Sequence, residues 1–206
     1  MTKSIFQGLS YLAHPLLLPL YLLLSLWYCS PVVLGPLSPH NFALLLLLVL
    51  IVTVLIPLIS IGVLRLFRSI GSLHMASRQD RYAPFLLMTV VYSYAAWSFY
   101  TDTPYNDVVK AFFICLAINI ALLTLITFFW KISVHASGMA GLVGVFLAVW
   151  FKYPAEPLMY PFMVLVITAG AVMTGRLYLH AHSPGEIAGG AALGFLTCFG
   201  GLMLLA

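Results

Sequence analysis

The sequence predicts an all-α, polytopic transmembrane helix bundle of about six to seven spans, and three observations carry that prediction. Hydrophobic residues make up 63% of the 206 and charged residues only 7%. A soluble domain of this length cannot hide so much apolar surface, because a small folded chain leaves most side chains near solvent, so the solvent must be lipid. Apolar runs recur at the ~20-residue length a helix needs to cross the hydrocarbon core. Finally, aromatic residues such as Trp27-Tyr28, Phe128–Trp130 and Trp150-Phe151 collect at the ends of those runs, where lipid headgroups begin.

The first expected span is Tyr11–Cys29. Lys3 followed by a leucine-rich run invites a signal-peptide interpretation, but Cys29-Ser30-Pro31 offers no small-x-small cleavage site and bulky Tyr28 precedes it. The segment is therefore expected to remain as a span. Phe42–Leu66 follows as the second. Pro84–Tyr100, the third, is short and carries Tyr92, Ser93, Tyr94 and Ser98; were it and a partner to lie along the interface, five spans would remain. Val108–Trp130, Ser133–Trp150, Pro157–Leu179 and Pro184–Leu205 complete the series. The fifth span holds Ser137, Gly141 and Gly144, and the seventh holds Gly185, Gly189, Gly190 and Gly194. Small residues let helices approach closely in lipid, which puts these two helices at the centre of the bundle. Short connections make residues 1–206 a single integral membrane domain.

The remaining composition excludes several functions. Cys29, Cys115 and Cys198 are scattered, two of them inside spans, and look like small core residues rather than a disulfide or metal framework. The net charge of +4 is spread over loops with no dense basic run, so nucleic acid is not an expected partner.

In so sparsely charged a chain, an ionisable group at a membrane edge marks a candidate site. The run Gly175-Arg-Leu-Tyr-Leu-His-Ala-His-Ser-Pro-Gly-Glu186 places Arg176, His182 and Glu186 between the last two spans. With loops alternating between two sides, the Arg65–Ala83 loop, the Lys131 junction and the His180–Ser183 turn fall on one side. The starts of spans three, five and seven and the end of span six fall there too. Helix N-termini present unpaired N–H groups and partial positive charge, so three of them beside several cations make an anion site. Ser183-Pro184-Gly185-Glu186 is equally a good helix start, with Ser183 as N-cap and Glu186 closing a capping box, and the two roles of Glu186 are compatible.

These residues resemble the type-2 phosphatidic acid phosphatase family, an all-helical superfamily that includes vanadium haloperoxidases. Its motifs are Lys-x6-Arg-Pro, Pro-Ser-Gly-His and Ser-Arg-x5-His-x3-Asp. The third is matched by Gly175-Arg176, five residues, His182, three residues and Glu186; the second, loosely, by Ile132-Ser133-Val134-His135. At the first motif Arg81 is present, with His74 where lysine is expected and Tyr82 where proline is expected. Glu for Asp keeps the carboxylate, Gly175 for Ser loses a hydroxyl, and Val134 for Gly puts a Cβ where a backbone amide would approach phosphate. Arg78 or Lys131 would have to replace the missing lysine. The resemblance covers residues 74–200 and implies a haloperoxidase-like core, no cofactor, and a lipid phosphate as substrate. A bacterial cytoplasmic membrane is the expected setting.

The residue types fit that chemistry. Phosphoryl transfer needs charge neutralisation, an in-line nucleophile and a proton for the leaving oxygen. Arg176 can bind two phosphate oxygens through its planar fork, with Arg81, Arg78, Ser133 and Lys131 as further candidate phosphate ligands. Neutral His182 can attack phosphorus if its other nitrogen donates to a carboxylate, and Glu186 is the nearest. His135 is the candidate general acid. His180 is expected to be a loop or interface histidine; His14, His40, Arg65 and Arg68 are expected to anchor span ends. Two competing functions are a non-catalytic lipid-phosphate binding or transport protein, motivated by the degraded first motif, and a metal enzyme using His135, His180, His182 and Glu186. The latter is disfavoured because His180 and His182, two residues apart, cannot chelate from one helix face. Charge counts do not orient the site: apart from the candidate phosphate ligands, three cations lie on its side and two on the other.

Overall fold

Nine α-helices make up most of the described residues of the computed structural model (2–67, 77–102, 105–154 and 157–206), and no strand occurs among them. They are α1 Thr2–Leu12, α2 Leu18–Cys29, α3 Pro39–Leu50, α4 Ile56–Leu66, α5 Tyr82–Asp102, α6 Asp107–Thr127, α7 Val134–Lys152, α8 Met159–Tyr178 and α9 Pro184–Leu205. Five helices combine the length and apolarity of a membrane span: Pro39–Leu66, in which α3 and α4 run on as one, and α6, α7, α8 and α9. This is a multi-pass membrane protein of all-α architecture.

Two expected spans differ. Tyr11–Cys29 is not one helix: the chain turns at residues 13–17, between α1 and α2, and α2 is only 12 residues long. Pro15 and Pro19 supply no N–H, and Pro19 instead occupies the first turn of α2, where its missing donor is harmless. At 1.5 Å per residue α2 spans roughly 18 Å, short of the ~30 Å hydrocarbon core. The third expected span is helical, as the 21-residue α5. It is long enough but, with its tyrosines and serines, falls outside the set of five. Pro57 explains a feature of the long helix: it lacks the N–H that an α-helix would bond to residue 53, and the preceding turn, Ile51–Leu55, widens to π geometry.

The centre of the bundle is α7 against α9, the most extensive helix pair. Glycine is required at this contact. A Cβ on Gly190 would run into the Ser133 carbonyl and one on Gly194 into the Ser137 carbonyl. Polar groups join the other helices: Ser137 donates to Asn119 Oδ1 of α6 at 3.1 Å, and Thr89 of α5 meets Thr124 of α6 at 2.8 Å. Such bonds hold helices together where lipid offers no hydrophobic drive between them.

Candidate functional site

The starts of α5, α7 and α9 and the end of α8 meet at one end of the bundle. The Arg81 guanidinium, at the start of α5, donates to the Ile132 carbonyl just before α7 at 3.1 Å. Ser133 N–H donates to the Glu186 carbonyl at 3.1 Å, joining the starts of α7 and α9, and Lys131 Nζ donates to the Ala181 carbonyl at 3.1 Å.

Local sequence builds the turn between α8 and α9. Helix α8 ends in a Schellman motif: His180 N–H bonds the Leu177 carbonyl at 2.9 Å and Ala181 N–H bonds the Arg176 carbonyl at 3.1 Å. That motif needs a left-handed residue, and His180 supplies it at φ 52°. Two residues later α9 opens with a full capping box, Glu186 N–H to Ser183 Oγ and Ser183 N–H to Glu186 Oε2, each at 3.3 Å. His182, caught between the stop and the start, is buried, and its Nδ1 lies 2.7 Å from Glu186 Oε2. A carboxylate only accepts, so Nδ1 carries the proton and Nε2 keeps its lone pair. Burial lowers the His182 pKa to about 4, with Arg81 and Arg176 pushing the same way and the hydrogen bond to Glu186 opposing. The imidazole is therefore neutral at pH 7. Glu186 caps the helix and orients the histidine at once.

Arg176, in the last turn of α8, is the cation at the middle of the cluster. It acts electrostatically on His14, Arg81 and His182, and its own buried Nε has no hydrogen-bond partner. An unpartnered buried guanidinium N–H calls for an acceptor. Arg81 is buried close by; burial and Arg176 lower its pKa, and Glu186 raises it. His135, one residue into α7, is within electrostatic range of Arg176, His14 and His182. Its Nε2 donates to the Ser10 carbonyl of α1 at 3.2 Å, since a carbonyl can only accept.

Three of the residues expected to bind phosphate lie elsewhere or do other work. Arg78 is exposed and bonds the Phe129 carbonyl at 2.6 Å, beyond the end of α6. Lys131 is held by the Ala181 carbonyl. Ser133 is fully buried as the N-cap of α7, its Oγ accepting from Ala136 N–H. His74 and Arg68 lie outside the described residues. Among those residues, no three of His, Cys, Asp and Glu are grouped as a metal ion would require.

The N-terminal residues are the part that sequence reasoning missed. His14, expected to anchor a span end, packs edge-on against His135 with ring centroids 5.5 Å apart. Helix α1 reaches the site because it lies along α8: Phe6 stacks obliquely on Tyr178 at 5.1 Å and fills the space over Gly175, where a Cβ would come within 2.8 Å of the Phe6 ring. Gly175 thus makes room for Phe6. The available signal was Gly175 itself, a helix-interior glycine next to the key arginine. An apolar cleft lies among α2, α6, α7 and α9, lined by Pro15, Leu18, Phe112, Gly138, Leu142 and Cys198. Comparison of the chain with protein-family models, with curated proteins and with solved structures finds no match.

Proposed function

We propose that this chain is a membrane lipid phosphatase or phosphotransferase, similar in mechanism to the type-2 phosphatidic acid phosphatases, acting on a phosphate monoester or diphosphate carried by a lipid anchor. One observation carries the proposal: buried His182, fixed by Glu186 at 2.7 Å, stands beside an arginine whose Nε lacks an acceptor. In this arrangement residues 74–200 form the catalytic core, and α5 is a sixth crossing beside the five apolar spans.

Arg176 and Arg81 hold the phosphoryl oxygens and offset the charge that accumulates on them. The Nε2 lone pair of His182 attacks phosphorus as the P–O bond to the lipid alkoxide breaks. Glu186 stabilises the cationic phosphohistidine through the Nδ1–H it already accepts. Nδ1 of His135, whose Nε2–H is held by the Ser10 carbonyl, relays a proton from the substrate's own phosphoryl hydroxyl to the departing oxygen. A water then attacks phosphorus, His135 takes its proton, phosphate leaves, and His182 regains its lone pair. On this reading the start of the acyl or prenyl chain lies toward the apolar cleft lined by Pro15, Leu18 and Leu142.

A second proposal, a non-catalytic binder or carrier of lipid phosphates, is favoured by the engagement of Arg78 and Lys131 with backbone carbonyls, which leaves the first motif's lysine without a substitute at the site. The test is the purified protein in detergent with a panel of lipid phosphates and diphosphates. The phosphatase is expected to release phosphate, to be inhibited by vanadate, and to lose at least about 1000-fold in rate with His182→Ala. Release that persists in that variant rejects the phosphohistidine route. Binding with no release by wild type, together with flux in proteoliposomes, favours the carrier.

A further inference from the structure

The same pocket holds a histidine that none of the phosphatase motifs includes. His14 sits in the turn between α1 and α2, where three independent contacts fix it. Tyr21 Oη donates to the Leu12 carbonyl at 2.9 Å and closes the end of α1. Leu16 N–H donates to His14 Nδ1 at 3.3 Å. The ring itself packs edge-on against His135. Because Nδ1 is an acceptor, the proton of the neutral imidazole is on Nε2, at the opposite side of the ring. Burial, followed by the nearby Arg176, lowers the His14 pKa, which keeps that neutral form.

A neutral histidine beside an arginine with a buried, unpartnered Nε is unexpected as a membrane anchor, since an anchoring histidine gains by facing the headgroups. As part of an anion pocket it is well suited. Its Nε2–H is a donor, and its neutrality adds no repulsion to Arg176 and Arg81. We propose that His14 is a substrate-binding residue that donates Nε2–H to a phosphoryl oxygen held by Arg176, so that the N-terminal segment completes the anion site. The identity of the anion as a lipid phosphate rests on the function proposed above; the anion contact does not.

The experiment compares full-length wild type with His14→Ala, His14→Phe and His14→Gln, measuring KM and kcat for lipid-phosphate release, the inhibition constant of orthovanadate, and the thermal stabilisation that vanadate gives. A hydrogen bond to a charged group is worth roughly a tenfold change in affinity or somewhat more. His14→Ala and His14→Phe should therefore raise KM and the vanadate constant about tenfold. His14→Gln, which keeps an N–H donor at similar reach, should stay near wild type. His14→Phe keeps the ring packed on His135, so it separates the donor from the packing. Wild-type vanadate affinity in His14→Phe overturns the proposal, as does His14→Gln failing as badly as His14→Ala. If wild type releases no phosphate yet is stabilised by vanadate in a manner lost in His14→Ala and His14→Phe and kept in His14→Gln, the catalytic function fails and the anion contact stands. Absence of any vanadate stabilisation in wild type overturns the contact itself.

Discussion

Two turns bring histidines to the same pocket, and they are built in opposite ways. The α8–α9 turn is local: a Schellman stop, a capping box and a His–Glu contact, all within residues 176–187. The α1–α2 turn is non-local. Ser10 and His14 reach His135 across more than a hundred residues of chain, and Phe6 docks on Gly175. The first turn sets its own geometry through short-range hydrogen bonds. The second has its own short-range bonds but is held against the rest of the site by packing and by one long-range hydrogen bond, His135 Nε2 to the Ser10 carbonyl, so it is the part of the site that a small change in α8 can move.

The largest expected effect tests whether the local turn does two separate jobs. Glutamine also closes a capping box, so Glu186→Gln should keep the start of α9 and the thermal stability within about 0.5 kcal/mol. It removes the carboxylate that fixes the His182 tautomer and that, on the proposed route, stabilises the phosphohistidine, so phosphate release should fall on the order of 100- to 10,000-fold. Melting curves and release rates on the same preparation separate the two. A variant that melts early and turns over normally would make Glu186 a cap only.

A smaller effect is expected from the non-local turn. Gly175→Ser, and more so Gly175→Val, places atoms where the Phe6 ring lies. Overpacking of this kind costs about 1–3 kcal/mol when neighbours must shift, and here the cheapest shift is for α1 to lift off α8. The vanadate inhibition constant should then rise with side-chain size from Gly through Ser to Val, about as far as in His14→Ala. If Gly175→Val binds vanadate and melts as wild type does, α1 is not docked as described.

The difference between the turns also decides what could be foreseen. Arg176, His182 and Glu186 were legible because their spacing alone closes the geometry: six residues span a helix stop and a start, and an i, i+4 step brings His182 to Glu186. The convergence of helix ends followed from alternating the loops, and the glycines of α9 announced its contact with α7. What failed was the first span. Its leucine content masked the break at Pro15, because hydropathy over a window does not register a missing backbone donor. With the turn at residues 13–17 counted inside that span, His14 can only be an end anchor. Arg78 and Lys131 were chosen by charge, and charge does not reveal which carbonyl of a neighbouring turn a long side chain will find.

Acid should weaken the local turn in particular. The folded-state pKa of His182 lies near 4, below its ordinary 6.5, because the ring is buried against Arg81 and Arg176. Between those values the unfolded chain binds a proton that the folded chain does not, so stability is intact above about pH 6.5 and declines as the pH falls toward 4. His14 shifts in the same direction and adds to the loss. Melting temperature measured from pH 7.5 down to 4.5 should fall less steeply in His182→Gln, where the titrating ring is gone. Parallel curves for the two proteins would mean that other groups govern the acid response.

The smallest effect separates scaffold from chemistry within the local turn. His180 holds φ 52°, a left-handed conformation that disfavours a residue bearing a Cβ by roughly 1–2 kcal/mol. Glycine removes that strain and gives back part of the gain through the larger freedom of the unfolded chain, so His180→Gly should stabilise by about 0.5–1 kcal/mol. His180→Val, β-branched at a left-handed position, should destabilise by about 1–2 kcal/mol. Neither should change the rate of phosphate release in the folded protein, since His180 is exposed and its part is to reverse the chain so that His182 faces Arg176. A more stable His180→Gly with lost turnover would reassign His180 from the turn to the site. A more stable variant with full turnover would show that the α8–α9 geometry comes from its backbone hydrogen bonds and not from the identity of that side chain.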